Sequence, residues 1–169
     1  MIRARPSHSV TTRGARAWSP LLAAALALPL VMSCYTPFEE SRPPEHFVRQ
    51  SRAVLGAVDF TLFHVPTHGL LRDRQYVEAS KAGAPTDRLA DDLAAILRRG
   101  ATPPGVTVSV AGGGSAKTAR VVEEAFSYLT GLQLPELDLL VIVDPQHELI
   151  VREAAHPSGC QLRVADLDG

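Results

Sequence analysis

The stretch Val106-Thr-Val-Ser-Val-Ala-Gly-Gly-Gly-Ser115 contains the pattern that decides the fold of this chain. Alternating valines over Val106–Val110 predict a β-strand with one apolar side. Three glycines and Ser115 then lead into a segment whose apolar residues recur at helical spacing as far as Gly131: Val122, Ala125, Phe126 and Leu129. A strand, a glycine-rich turn and a helix in direct succession favour an α/β protein.

The segments on either side continue this alternation. Leu137–Val143 is an almost uninterrupted apolar run, which is typical of a central strand covered on both faces. Upstream, residues 58–65 alternate and predict a strand with these side chains on one face: Val58, Phe60, Leu62 and His64. Between the strands, Thr86 is suited to cap a helix that ends before Gly100. The buried face of that helix is formed by Leu89, Leu93, Ile96 and Leu97.

The C-terminal residues predict an antiparallel hairpin. Glu148–Ala154 and Cys160–Ala165 flank the turn-rich sequence His156-Pro-Ser-Gly159. We therefore predict an α/β fold, with α+β as the alternative, in the order β-α-β-α-β-β-β. This order corresponds to a small mixed sheet of about five strands with two main helices. Residues 66–85 show only a short helical tendency over Leu70–Ala82.

The first 33 residues have the features of a secretory signal. Four arginines and no acidic residue precede the apolar run Pro20–Met32. This run is shorter than the ~20 apolar residues that a membrane-spanning helix needs. It predicts a segment that enters a translocon and is then removed, rather than a permanent transmembrane anchor.

The end of this segment, Val31-Met-Ser-Cys34, resembles the lipobox of bacterial lipoprotein precursors. The resemblance implies cleavage before Cys34 and transfer of diacylglycerol to its thiol, with further acylation by fatty acids such as palmitate. An ordinary secretory signal with a coincidental cysteine is the alternative. The resemblance also implies sorting to the periplasmic face of the outer membrane rather than to the inner membrane, since Tyr35 and not aspartate follows Cys34.

Removal of residues 1–33 changes the charge of the chain. It leaves 13 basic and 18 acidic residues, a net charge near −5, which argues against nucleic-acid binding. Residues 34–46 are polar and rich in proline, and they predict a lipidated cysteine followed by a flexible tether. The remaining residues, 47–169, suit one globular domain. Since Cys34 would be acylated, Cys160 has no intramolecular disulfide partner and is interpreted as a small buried hydrophobe.

The glycine turn is also the strongest candidate ligand site. It is similar to a Walker A loop because Lys117-Thr118 follows glycines, and Leu139–Asp144 resembles a Walker B strand. However, the two glycines of the Walker A pattern fall on Ala111 and Ala116, which argues against nucleotide hydrolysis. A simpler interpretation is a turn capped by Ser115. The residues predicted to bind a small ligand or anion are Gly112, Gly113, Gly114, Ser115, Lys117 and Asp144.

Metal binding and catalysis find less support in the sequence. His64 and His68 are four residues apart, but Pro66 between them excludes the helix that would align them toward one metal. A second candidate ligand set consists of His147, Asp144 and Glu148. A serine hydrolase would need Ser115 with His147 or His156 and an acid, at distances that a sequence does not give. We therefore predict no metal ligands, no cofactor and no catalytic residues.

The anchor, the tether and the small domain together favour an envelope lipoprotein that acts as an assembly or scaffolding component. It would belong to a cell-envelope machine for export, pilus formation, conjugation or wall synthesis. The alternative is a periplasmic module that binds a small ligand or anion at the Gly112–Lys117 turn, and a hydrolase is less favoured. The expected partners are membrane lipid through Cys34 and other envelope proteins, with a second copy of the chain among the candidates.

Overall fold

The computed structural model describes residues 42–84 and 88–168, which form a mixed α/β domain. Its sheet contains four strands: β1 (Thr61–Val65), β2 (Val106–Gly112), β3 (Leu137–Ile142) and β4 (Gln161–Ala165). The strands are hydrogen-bonded in sequence order, and every neighbouring pair is parallel. The predicted signal, Cys34 and most of the predicted tether lie outside the described residues.

Helices make the connections that parallel strands require. The described residues contain α1 (Pro44–Leu55), α2 (Leu70–Lys81), α3 (Leu89–Leu97), α4 (Ser115–Ser127) and α5 (Glu148–Ala155). Helices α2 and α3 lie between β1 and β2, α4 between β2 and β3, and α5 between β3 and β4. Short 3₁₀ helices follow or precede these elements at Arg98–Ala101, Pro145–His147 and His156–Ser158. Within the described ranges no helix has the length and apolar character needed to cross a membrane.

The two faces of the sheet bury two separate apolar clusters, because alternate side chains of a strand point to opposite faces. The larger cluster packs α3, α4 and α5 against side chains such as Val108, Val110, Leu139 and Val141. The smaller cluster packs Phe47 and Leu55 of α1 against Leu140 and Ile142. Helices therefore cover both faces of the sheet.

Several sequence predictions are confirmed by this packing. Phe60 and Leu62 pack in the smaller cluster and Phe63 in the larger one, as the predicted alternation requires. Leu137–Ile142 is covered on both faces, as expected for a central strand. The predicted helix after β2 and the buried face that contains Leu93 are also present. The proposed cap residue, Thr86, is outside the described residues.

The predicted C-terminal hairpin is wrong. Glu148–Ala155 is helix α5, which buries Val151 and Ala155 four residues apart on one side. Gly159, at φ +70°, ends the following 3₁₀ turn, and β4 then pairs parallel to β3. A parallel neighbour needs a crossover instead of a tight turn, and α5 provides that crossover. The described sheet is therefore parallel with four strands, instead of mixed with about five.

The N-terminal part of the domain also differs from the prediction. The strand that was expected from residue 58 begins at Thr61. Helix α1, which the sequence analysis did not predict, starts at Pro44, inside the segment assigned to the tether. Proline suits the first turn of a helix because its missing N–H would have no intrahelical partner there. The buried side chains of α1 include Phe47, Ser51 and Leu55, spaced by four residues.

Candidate functional site

The carboxyl ends of the four parallel strands lie at one edge of the sheet, which we call the carboxyl edge. The chain segments that follow these strands surround a cavity of about 810 Å³. Its lining includes Asp73 and Gly113 from the segments after β1 and β2, Asp144 and His147 from the segment after β3, and Leu167 and Asp168 from the segment after β4. Ligands of open α/β sheets bind outside the carboxyl ends of the strands, usually where the strand order reverses. The described order β1-β2-β3-β4 contains no reversal, so the cavity is identified from its lining alone.

The structure brings most of the sequence-predicted site residues to this cavity. Its lining includes five of the six predicted residues: Gly113, Gly114, Ser115, Lys117 and Asp144. Gly112, the sixth, is the last residue of β2 and is buried. Asp144 lies 27 or more residues after the others along the chain, and it reaches them because β3 is parallel to β2.

Gly112 has a structural role that needs no ligand. A Cβ atom at this position would lie 2.3 Å from the carbonyl oxygen of Val65, its register partner on β1. The same Cβ would lie 2.9 Å from Thr118 Oγ1. Glycine therefore allows the end of β2 to pass between β1 and the first turn of α4.

Gly112→Ala is expected to destabilise the domain by about 2 kcal/mol, because the added methyl group must displace backbone. Gly113→Ala is a matched control, since its Cβ would be 3.3 Å from the methyl carbon of Thr67, which can give way. Urea unfolding followed by circular dichroism would measure both free energies of unfolding. Equal stability of the two variants would show that the packing between β1 and β2 does not require Gly112.

Lys117 does not have the position of a phosphate-binding lysine. Its side chain is only 2% exposed. The ammonium donates a hydrogen bond to the carbonyl oxygen of Pro66 (2.9 Å) and one to Nδ1 of His68 (3.3 Å). It also lies 3.6 Å from Asp73 Oδ1 and 5.0 Å from the centre of the Tyr76 ring.

Asp73, which the sequence analysis missed, holds the other half of this network. Its carboxylate accepts hydrogen bonds from the hydroxyl of Thr67 and from the backbone N–H of His68. Its own backbone N–H donates to the carbonyl of Gly69. The buried pair of Asp73 and Lys117 therefore fixes the segment between β1 and α2, which forms one wall of the cavity. The signal for Asp73 in the sequence was its position as an acidic residue in the first turn of a helix. Residues 66–85, which contain it, showed no clearer pattern.

Ser115 is the first residue of α4, and the N-cap position is occupied by Gly114, without a side-chain hydrogen bond. The predicted cap is therefore wrong. The Ser115 hydroxyl instead accepts a hydrogen bond of 2.7 Å from the backbone N–H of Asp144. This bond joins the start of α4 to the end of β3. Ser115, Asp144 and His147 share the cavity lining, but the Ser115 hydroxyl is hydrogen-bonded to the backbone N–H of Asp144 instead of to a histidine.

The histidines are distributed over different environments. His64 packs on the α1 side, with its ring 5.7 Å from that of Phe47, and burial lowers its pKa from the ordinary value of 6.5. His68 contacts Lys117 on the other side, so these two histidines do not form a common site. No group of three or more histidine, cysteine or acidic side chains within residues 42–84 and 88–168 is arranged to hold a metal.

Cys160 is half-buried and packs against the larger apolar cluster. Burial raises the pKa of its thiol, which disfavours the reactive thiolate form. This environment agrees with its interpretation as a small hydrophobe.

Comparisons with protein-family models, with curated proteins and with solved structures give no match for this chain.

Proposed function

We propose that this chain is a lipid-anchored envelope protein whose domain binds a small polar ligand in the cavity at the carboxyl edge. The observation that carries the binding proposal is the convergence of segments following all four strands on one concave space of about 810 Å³. This volume is within the range of small-molecule sites. The membrane anchor is proposed from the lipobox resemblance at Cys34.

The first turn of α4 and one exposed cation in the lining favour a ligand with an anionic group. The cavity contains the first turn of α4, and the first N–H groups of an α-helix have no partner within the helix. Gly113 and Gly114 present no side chain there. Arg74 adds an exposed cation to the lining. Lys117 would act indirectly, since its ammonium supports the wall formed by Pro66 to Asp73.

Ala116 offers a direct test because it is exposed in the first turn of α4 and lines the cavity. Ala116→Glu places a negative charge where the ligand anion would sit, yet it favours the helix through the dipole. We expect a screen of small anionic metabolites to raise the melting temperature of the unmodified protein. At 100 times Kd this stabilisation corresponds to about 2.7 kcal/mol.

Ala116→Glu should abolish the shift, whereas the matched variant Ala116→Gln should retain most of it. Both variants should melt near the unmodified protein in buffer alone, which separates loss of binding from loss of folding. A ligand that stabilises Ala116→Glu and Ala116→Gln equally would show that binding occurs elsewhere. If no compound in the screen raises the melting temperature, the binding proposal has failed.

The assembly or scaffolding role is a second proposal, and the strand arrangement favours it. Strands β1 and β4 lie at the two ends of the described sheet, so each has one described neighbour. Edge strands can accept an added strand from another protein. Crosslinking and pull-down of the anchored protein should then recover the same few envelope proteins repeatedly, and recovery of none would contradict this role.

A further inference from the structure

The chain enters the folded domain at the carboxyl edge. The guanidinium of Arg42, the first described residue, donates to the carbonyl oxygen of Leu167 and forms an ion pair with Asp168. Arg42 also lines the cavity. In the following helix, the side-chain amide of Gln50 donates to the carbonyl oxygen of Asp166. The N-terminal end of the domain is thus held against the segment that follows β4.

Because Arg42 is held against the domain, only the residues between Cys34 and Arg42 can separate the domain from a lipid surface to which Cys34 is attached. Arg42 follows Cys34 by only eight residues. Eight fully extended residues span about 26 Å. A tether ending at residue 46 would reach about 40 Å, but Pro44 already belongs to α1. An acylated Cys34 would therefore keep the carboxyl edge, with its cavity, closer to the membrane than the predicted tether suggests.

The same edge exposes large apolar side chains. Helices α2 and α5 both begin there, and in their first turns Leu71 is 78% exposed and Leu149 is 65% exposed. Their neighbours Leu70 and Ile150 are exposed as well. Because these leucines are exposed to solvent at the start of two separate helices, they do not contribute to the core of this domain.

Basic residues accompany the leucines of α2. The helix begins Leu70-Leu-Arg-Asp-Arg74, in which Asp73 is turned inward to Lys117 and the two arginines are exposed. Leucine and arginine side chains on one exposed surface are typical of segments that lie at a lipid–water interface. Two acidic residues of the edge are paired, Asp168 with Arg42 and Glu148 with Arg152.

We propose that the carboxyl edge of the domain docks on the lipid surface through the exposed leucines that begin α2 and α5. This inference rests on the proposed lipid anchor at Cys34. The occupant of the apolar surface is the headgroup region of the bilayer, and the exposed arginines favour anionic lipids there. The cavity then opens toward the membrane, and its ligand enters along the headgroup layer.

The test uses residues 34–169, which contain no tryptophan because the single one, Trp18, belongs to the signal. With Cys160→Ser as background, the thiol of Cys34 is coupled to a maleimide lipid in phosphatidylcholine vesicles containing phosphatidylglycerol. Tryptophan is introduced by Leu71→Trp, Leu149→Trp or Val58→Trp. Val58 is the matched control, because it is also an exposed apolar residue, at 52%, but precedes β1 at the opposite edge.

We expect the emission of Leu71→Trp and Leu149→Trp to shift to shorter wavelength on the vesicles. Brominated lipids should quench these two variants roughly twofold more than Val58→Trp, since only the carboxyl edge would reach the acyl boundary. Equal quenching at all three positions, or no shift at any, would overturn the proposed orientation. A shift that depends on protein concentration without vesicles would assign the leucines to a second copy of the chain, and would also overturn it.

The experiment separates this inference from the proposed anchor. The lipid is attached chemically, so the vesicle result does not depend on acylation by cells. If cells do not acylate Cys34, the anchor proposal fails whatever the vesicles show. If cells acylate Cys34 and the vesicle assay shows no preference, only the docking of the carboxyl edge is wrong.

Discussion

Cys34→Ala is expected to abolish incorporation of radiolabelled palmitate and to release the chain from the membrane fraction. On the proposed lipoprotein interpretation, the thiol of Cys34 is the attachment point of diacylglycerol, and alanine has no nucleophile. More than one acyl chain gives durable attachment, at ~0.8 kcal/mol per buried methylene, so the loss should be complete rather than partial. Labelling of cells that express the full precursor, followed by fractionation, would measure both effects.

Cys160→Ala is the control for this experiment, since it removes the other cysteine of the chain. That variant should keep its label and its membrane location. Its thiol is half-buried in the folded domain, with a pKa raised by burial. If Cys34→Ala remained labelled, the lipoprotein assignment and the orientation derived from it would both have to be abandoned.

Lys117→Met is expected to destabilise the domain by about 3 to 5 kcal/mol, the usual cost of leaving one member of a buried ion pair alone. Methionine has a similar length but cannot donate to Pro66 or His68, and it leaves the carboxylate of Asp73 buried without its cation. Chemical denaturation of residues 34–169 would give the free energy of unfolding. This loss is a large fraction of the roughly 5–15 kcal/mol that keeps a typical domain folded.

A double-mutant cycle identifies the pair as the cause. Asp73→Asn removes the charge while preserving the shape of the side chain, and alone it should also destabilise because Lys117 loses its counterion. The double variant should be less destabilised than the sum of the single variants by roughly 1 kcal/mol or more, since neither charge is then left alone. Strict additivity would mean that Lys117 acts through Pro66 and His68 and not through Asp73.

The ion pair between Asp73 and Lys117 affects the cavity through the wall that it supports. The ion pair holds the segment after β1 against the glycine turn after β2, where a Cβ atom added at Gly114 would lie 2.9 Å from Asp73 Oδ2. The lysine that makes the turn similar to a Walker A loop is therefore part of the wall of the cavity. Any ligand anion has to be bound by backbone N–H groups and exposed cations instead of by this ammonium.

Strands β2 and β3 could be predicted from the sequence because the information is local. Alternation over Val106–Val110 predicted strand β2 and the apolar run over Leu137–Val143 predicted strand β3 covered on both faces, and the structure confirms both strands. The alternation did not show that the second face of β2 is covered too, where Ser109 is buried against Ser51 of α1. By contrast, Glu148–Ala154 is short and fits two patterns. Leu149 and Val151 alternate as in a strand, whereas Val151 and Ala155 are spaced as in a helix.

In the candidate site, too, residues with a local sequence signal were predicted, and residues that depend on long-range packing were not. The glycines and Ser115 were found because consecutive residues carry the signal, and Asp144 because it ends an apolar strand. Asp73 lies 44 residues before Lys117, and no local pattern relates them. The sequence consequently predicted Lys117 as a ligand-binding residue of the glycine turn, while packing of α2 on α4 enclosed it with a carboxylate.

The sequence by itself determined the inward faces of β1, β3 and the helices α3 and α4, because those faces follow from the periodicity of a single segment. It also determined the resemblance that proposes Cys34 as a lipid anchor. Only the tertiary structure decided that β4 pairs parallel to β3, that α5 provides the crossover, and that Arg42 joins the carboxyl edge. These features depend on contacts between residues far apart in the chain, whose free energy is gained only when the whole domain packs.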